Sequence, residues 1–195
     1  MAQTQMTQEE YRALMQAQTR ERSDAAPPKR RKSRDHYRQK FALTPKAPTL
    51  TEAERHAQRQ LFERHDAVTV SIRLPMPPSA NRYWESWVRP GTTRAMVHVG
   101  NEGQCFTEAV IAAWKSHFDG WPPEPTTARL RLLVSVSYPT KAAVDLDNRV
   151  KPLQDALKKA GVYVDDSQID DLRVIRGPLS PAGGFVEIIL ESIEQ

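Results

Sequence analysis

The segment ARLRLLVSVSYP, residues 128–139, constrains the fold more than any other stretch of this chain. If it is extended, one face carries four apolar residues: Leu130, Leu132, Val134 and Val136. Such a period of two predicts a β-strand with one face on a hydrophobic core. Residues 67–74, AVTVSIRL, alternate in the same way, and LRVIRG and GGFVEIIL predict two further strands joined through a Pro/Gly turn.

Two amphipathic helices are predicted between these strands. Residues 102–118 place five side chains at helical spacing: Phe106, Val110, Ala113, Trp114 and His117. Residues 148–160 predict a second helix that buries Val150, Leu153, Leu157 and Ala160, with Asn148 as its N-cap and Gly161 as a left-handed C-cap. The order of elements predicts an α+β domain, residues 67–195, with two main helices against a mixed β-sheet.

Residues 1–66 predict a basic extension that precedes this domain. They carry 14 Lys and Arg against 9 Asp and Glu, a net charge of +5, whereas residues 67–195 have a net charge of −1. Capping boxes at Thr7/Glu10 and Thr51/Glu54 indicate short helices. Residues 25–48 are rich in proline and basic side chains and poor in apolar ones, so we expect disorder there. A basic extension favours nucleic acid as a partner.

The composition disfavours several classes of protein. No stretch approaches the roughly 20 apolar residues that span a bilayer, and the polar N-terminus does not resemble a signal peptide. We therefore expect a cytoplasmic protein without a membrane partner. The single cysteine, Cys105, excludes an internal disulfide and a cysteine-rich zinc site, and we expect it to be a small packed residue.

The stretch VDLDNRVKPLQDALKKAGVYVDDSQIDD carries the candidate catalytic residues. Asp145 and Asp147 are two residues apart beyond a strand, so an extended link points both carboxylates to one side. Lys151 follows in the first turn of the next helix, and a chain reversal after that helix can return Asp165 and Asp166 to the first pair. Grouped carboxylates repel one another unless a divalent cation is present, and an all-oxygen site suits Mg²⁺ or Mn²⁺. Such a site serves displacement at phosphorus, with the ammonium group offsetting negative charge.

Alternative roles for these residues stay open. A DxD sequence is common in solvated loops and helix caps, and Lys151 could be a surface residue paired with Asp155. A nucleotidyl- or glycosyltransferase also uses a DxD pair, although this chain has no Gly-rich phosphate loop. A non-catalytic DNA-binding repair accessory protein is a third alternative, and a nuclease that prefers flaps or forks is a fourth.

DLDNRVKPLQDALKKAGVYVDDSQI resembles the core motif of the RusA-type Holliday junction resolvases, crossover junction endodeoxyribonucleases of phages and bacteria. The resemblance extends back through VHVGNEGQCF and LPMPPSANRYW and forward through the closing strands, over residues 68–192. It implies a small α+β homodimer that cuts two strands of a four-way DNA junction symmetrically with Mg²⁺, or Mn²⁺, and no organic cofactor. It further implies metal-binding catalytic roles for Asp145, Asp147 and Asp166 and an essential role for Lys151.

The resemblance also suggests supporting residues. Asn148 and Asp165 match motif positions beside the catalytic ones. Asn81 and Arg82 match a loop near the DNA-binding face, where a structural role and a DNA contact both fit. The candidate DNA-binding residues are, in chain order, Asn81, Arg82, Arg89, Arg94, Lys141 and Arg149.

The chain departs from the family pattern in its basic residues. Only Lys141 stands where the family has a denser basic stretch before DLDN, and the segment between Trp84 and His98 is longer here. We therefore expect residues 29–40 to act as a flexible basic arm on DNA, with a solubilising leader as the alternative. Tyr83, Trp84 and Trp87 could stack on exposed bases or be covered in a core or an interface.

Overall fold

Five α-helices and six β-strands make up the part of the chain that the computed structural model describes, residues 32–42, 51–64, 69–89, 91–141 and 144–193. The helices are α1 (Arg34–Ala42), α2 (Glu52–Arg64), α3 (Ala80–Tyr83), α4 (Asn101–His117) and α5 (Val150–Lys159). The strands are β1 (Thr69–Pro75), β2 (Trp84–Val88), β3 (Ala95–Val99), β4 (Leu130–Ser137), β5 (Ile169–Arg176) and β6 (Phe185–Ser192). Two 3₁₀ turns, Asp147–Arg149 and Asp166–Gln168, flank α5. None of the described helices is both long and apolar enough to cross a membrane.

A four-stranded mixed sheet with the order β1-β6-β4-β5 forms the centre of the fold. β6 is antiparallel to both β1 and β4, whereas β4 is parallel to β5, which it reaches through α5. The alternation in β4 buries all four apolar residues of the predicted face. Leu132 pairs with Leu190 of β6 and with Leu172 of β5, so apolar positions align across the strands. The predicted α+β class and mixed sheet are confirmed.

The two main helices also follow the prediction closely. α4 begins at Asn101 and packs against β1 and α5, with Phe106, Val110 and Trp114 buried. α5 buries Leu153 and Leu157 as predicted, whereas Val150 and Ala160, also predicted to be buried, are only half-buried. Gly161 follows α5 with a φ of +77°, as the predicted left-handed cap requires.

The predicted start of the second helix at Asn148 is wrong. A 3₁₀ turn occupies Asp147–Arg149, and the α-helix begins at Val150 without a side-chain cap. Pro152 therefore lies in the first turn, where a missing N–H removes no intrahelical hydrogen bond. This placement leaves Asn148 at the turn that carries the predicted catalytic residues.

The prediction of disorder over residues 25–48 is wrong for residues 34–42. They form α1, which packs against α4 and buries Phe41. The prediction that residues 29–40 form a flexible arm is likewise wrong for residues 34–40, because Arg34 pairs with Glu108 and Lys40 pairs with Glu102. Only Phe41 is buried and Tyr37 is partly buried, so this short basic helix shows little hydrophobic periodicity in its sequence.

The second capping box is confirmed, since the Glu54 amide donates to Thr51 Oγ1 and the Thr51 amide donates to Glu54 at the start of α2. Its counterpart at Thr7/Glu10 lies outside the described residues. The domain boundary between residues 66 and 67 stays a prediction.

An antiparallel hairpin of β2 and β3 was not predicted from the sequence. It occupies the segment between Trp84 and His98. Large apolar side chains are exposed on both of its strands, including Trp84, Trp87 and Met96. Without one buried face, the hairpin lacks the apolar–polar alternation by which strands are recognised.

Candidate active site

Two arginines fix the chain segment that carries the first aspartate pair. Beyond β4 the chain reaches Asp145 and then the 3₁₀ turn Asp147–Arg149. Arg176, at the end of β5, donates from Nη2 to the Val144 carbonyl at 2.8 Å. Arg149 is buried and donates from Nη1 to the Pro77 carbonyl at 2.5 Å. These contacts hold the segment against the end of the sheet and against the loop after β1.

Asn148 links the two aspartates of this segment. Its backbone N–H donates to Asp147 Oδ1 at 2.8 Å, and its side-chain Nδ2 donates to Asp145 Oδ2 at 3.3 Å. Both carboxyl residues are exposed. The backbone and side-chain amides of Asn148 therefore orient two carboxylates on the solvent side of the turn. A supporting role of Asn148 in catalysis stays a prediction.

Lys151 joins the second acidic stretch, Asp165 and Asp166, to α5. Its Nζ lies 2.7 Å from Asp166 Oδ2 and 2.9 Å from Asp155 Oδ1. The hydrogen bond to Asp166, followed by that to Asp155, raises the pKa of Lys151 well above its ordinary value. The side chain thus stays an ammonium ion over the whole neutral range. Asp155, considered from the sequence as an ion-pair partner of Lys151, is one.

Asp165 shapes the turn that presents Asp166. Its Oδ1 accepts from the Ser167 amide at 3.0 Å, and its own amide donates to Gln168 Oε1 at 2.8 Å, which forms a capping box. Lys158 donates to Asp165 Oδ2 at 2.6 Å, and this bond and the Ser167 amide lower the pKa of Asp165. Asp165 is therefore a structural neighbour of the site, because its oxygens are engaged in capping and in an ion pair.

The segment LPMPPSANRYW, the first block of the sequence resemblance, contributes α3 to the surroundings of the 3₁₀ turn Asp147–Arg149. α3, which carries Asn81 and Arg82, packs against α5 and against the 3₁₀ turn Asp147–Arg149. Tyr83 is fully buried, and burial together with the nearby Asp155 carboxylate raises its pKa. It cannot stack on bases, so of the three aromatic candidates it is the covered one. Arg82 is largely exposed, and Asn81 is exposed.

The remaining basic candidates fall into two groups. Arg89 and Arg94 lie in the connection between β2 and β3 and are exposed, as is Lys141 beyond β4. Arg149 is different, because its guanidinium is buried against the Pro77 carbonyl. This burial contradicts the phosphate contact suggested for Arg149 and gives it a structural role.

The chemistry of the donor set fits a hard divalent cation. The predicted ligands Asp145, Asp147 and Asp166 offer carboxylate oxygens at partly or fully exposed positions. Among the described residues, however, no group of three His, Cys, Asp or Glu side chains is gathered closely enough to hold a metal ion. In the structure the Asp166 carboxylate is instead bonded to the Lys151 ammonium group.

Sequence reasoning missed two residues that the structure connects to the site. Arg176 donates to the Val144 carbonyl just before Asp145. Glu102 Oε2 lies 3.8 Å from Nε of Arg82, a candidate DNA-binding residue. Neither belongs to a motif of fixed spacing, since one ends a strand and the other begins a helix. Only the three-dimensional arrangement brings them to these positions.

Comparison with known proteins gives a consistent relationship. The family model described as Endodeoxyribonuclease RusA matches residues 75–188. The Crossover junction endodeoxyribonuclease RusA of Escherichia coli (strain K12) is 36% identical over 123 residues, which cover 63% of this chain and 93% of that protein. Proteins of the same name from Shigella sonnei (strain Ss046) and Enterobacteria phage 82 are each 35% identical with the same coverage. The residues matched by the family model include α3 to α5 and leave out α1 and α2.

Proposed function

This chain belongs to the endodeoxyribonuclease RusA family, and we propose that it resolves four-way DNA junctions by paired, symmetric, Mg²⁺-dependent cuts. The family membership makes it an endonuclease. The observation that best supports the catalytic assignment is the Lys151–Asp166 bond of 2.7 Å. It joins the second acidic stretch to the helix that begins just after Asp145 and Asp147. The RusA relationship also supports a divalent metal ion, of which Mg²⁺ is the member we propose, with Mn²⁺ able to replace it.

In this proposal Asp145, Asp147 and Asp166 are the metal ligands. When bound, the cation polarises the phosphoryl oxygen and lowers the pKa of a coordinated water. Asn148 keeps the first two carboxylates oriented through its two hydrogen bonds. Asp165 keeps the turn that presents Asp166 in place.

Lys151 supplies positive charge to the reacting phosphate. In the structure its ammonium group is paired with Asp166 and Asp155. With Asp166 engaged as a metal ligand, Lys151 would keep Asp155 as its partner and would donate to a phosphate oxygen on which negative charge develops. The remaining hydrogen bond to Asp155 still favours the charged form, so Lys151 would donate as a cation and would not serve as a general base at neutral pH.

DNA contacts are proposed for the exposed members of the candidate set. They are Asn81, Arg82, Arg89, Arg94 and Lys141, and Arg149 is left out because it is buried. Two symmetric cuts require two active sites, so we propose a homodimer. A bacterial or phage-encoded enzyme of this kind would act in the cytoplasm, in recombination and repair.

The test is cleavage of a synthetic four-way junction by the purified protein, with and without Mg²⁺, beside linear duplex and flap controls. Symmetric nicks in two opposing strands, only with the metal, are expected. A preference for flaps or forks would overturn the junction assignment. Binding without nicking in any divalent ion would instead favour a non-catalytic accessory protein.

Asp147→Asn should abolish cleavage and leave junction binding intact or tighter. It removes a proposed metal ligand and a negative charge that faces the phosphates, and loss of comparable transition-state contacts costs about 10²-fold or more in rate. The matched control is Asp170→Asn, which alters an aspartate paired with Arg129 on the sheet. Cleavage within about tenfold of wild type would refute the role of Asp147.

Lys151→Met should lower the rate of cleavage by more than it weakens binding. The reason is that its charge is needed mainly as the phosphate gains negative charge. Lys159→Met removes an equal charge from the exposed last turn of α5 and serves as the control. Single-turnover cleavage and binding in the absence of metal separate the two effects. Equal losses in both measurements for Lys151→Met would contradict the assignment.

A further inference from the structure

The Glu102 carboxylate, at the start of α4, is shared by two cations from different parts of the chain. Its side chain is only 5% exposed. Lys40 Nζ of α1 lies 2.6 Å from Oε1, and Arg82 Nε of α3 lies 3.8 Å from Oε2. A carboxylate that is so little exposed is destabilising unless cations and hydrogen bonds compensate its charge.

The two cations are engaged to different degrees. Lys40 is at hydrogen-bonding distance, whereas Arg82 is near the outer limit of an ion pair. The Arg82 side chain is also 62% exposed, against 40% for Lys40. Lys40 is therefore the closer cationic partner of Glu102, which also lies in the first turn of α4, and the Arg82 guanidinium keeps donors that face solvent.

Lys40 is held in this place by the rest of α1. Phe41, the next residue, is buried with its ring centroid 5.6 Å from that of Phe106 in α4. Arg34 forms an ion pair with Glu108 at the other end of the helix. The position of Lys40 is thus set by the hydrophobic core and does not depend on the lysine alone.

We propose that Lys40 is a positioning residue for DNA binding: by pairing with Glu102 it keeps Arg82 available to a DNA phosphate. α1 lies before residues 75–188, the range matched by the family model. The Lys40–Glu102 pair therefore depends on a helix from outside that range. The proposal rests on the proposed junction-binding function. Without Lys40, Glu102 would draw Arg82 into a closer ion pair and remove one cation from the DNA-binding surface.

The first experiment measures binding to a fluorescent four-way junction in EDTA over a series of salt concentrations. Lys40→Gln should weaken binding about fivefold, a size typical of coupled neighbouring charges. It should also reduce the salt slope by about 0.9, the loss of one phosphate contact. Arg38→Gln is the control, because it removes one charge from the same helix but from a surface pair with Glu108. Equal effects of the two variants would overturn the proposal.

The second experiment repeats Lys40→Gln in the Glu102→Gln and Arg82→Gln backgrounds. If Lys40 acts through these residues, its replacement has no further effect in either background. If Lys40 contacts DNA itself, the fivefold loss persists in both, and the proposal is wrong. Glu102→Gln alone should bind the junction at least as tightly as wild type, and weaker binding would overturn the proposal. This variant keeps the proposal testable if Lys40→Gln does not fold.

Failure of the junction-binding function gives a different result from failure of this inference. If wild type does not bind branched DNA, the proposed function is wrong. If wild type binds and Lys40→Gln binds equally well, only the inference is wrong. Thermal unfolding of each variant confirms that the measured differences concern folded protein.

Discussion

Replacement of Phe41, the buried residue of α1, tests whether the folded domain includes this helix. Phe41 is 6% exposed and belongs to the hydrophobic core, although the sequence pattern predicts no structure for it. Replacing a buried Phe with Ala typically costs about 3–5 kcal/mol through lost burial and the cavity that remains. Alanine has a higher helix propensity than phenylalanine, which offsets this loss of stability by about 0.5 kcal/mol. We therefore expect Phe41→Ala to lower the free energy of unfolding by about 3 kcal/mol.

Urea denaturation followed by far-UV circular dichroism measures this change directly. The denaturation midpoint of Phe41→Ala should fall while the slope with denaturant is unchanged, since the same unit unfolds. Gln39→Ala, at an exposed position of the same helix, should change stability by less than about 0.5 kcal/mol. A loss below about 1 kcal/mol for Phe41→Ala would show that α1 is not part of the core, and the positioning role of Lys40 would lose its support.

Two further predictions concern single side chains of the domain. Burial lowers the pKa of His117 below its ordinary 6.5, with Arg55 adding to the effect and Asp119 opposing it. The unfolded chain then binds the proton first, so the free energy of unfolding should fall as pH drops below about 6.5. Urea midpoints at pH 7.5 and 5.5 should show a smaller fall for His117→Gln than for wild type, and equal falls would contradict the assignment. Gly161→Ala should lower the free energy of unfolding by about 1 kcal/mol in the same assay, because Gly161 has a φ of +77°, where a side chain is strained. An unchanged midpoint would show that alanine causes no backbone strain there.

The main elements of the fold could be predicted because each has one buried face. β4 and α4 show periods of two and 3.6 residues that directly reflect burial on the sheet. α1 and the β2–β3 hairpin could not be predicted in this way. α1 contributes a single buried side chain, Phe41, and the hairpin exposes apolar residues on both strands. Their positions depend on tertiary contacts that leave no periodic pattern in the sequence.

The candidate site could be predicted only in part. The spacing of Asp145, Asp147 and Lys151 places them on one short segment, and the structure shows Asp166 bonded to Lys151. Sequence could not tell that Arg149 is buried, because a basic residue in a polar motif looks solvent-exposed. Nor could it reveal the Glu102 contacts with Lys40 and Arg82, which join three segments distant in sequence.

In the proposed site, carboxylates from two separate stretches of the chain bind one divalent cation. Calorimetric titration of Mn²⁺ into wild type and Asp166→Asn tests it most directly, because it needs neither DNA nor cleavage. We expect Asp166→Asn to weaken Mn²⁺ binding about tenfold or more, as should Asp147→Asn, since each would remove a proposed ligand of the same ion. Mn²⁺ binding to Asp166→Asn with wild-type affinity would show that the second stretch holds no part of the metal site and would contradict the claim.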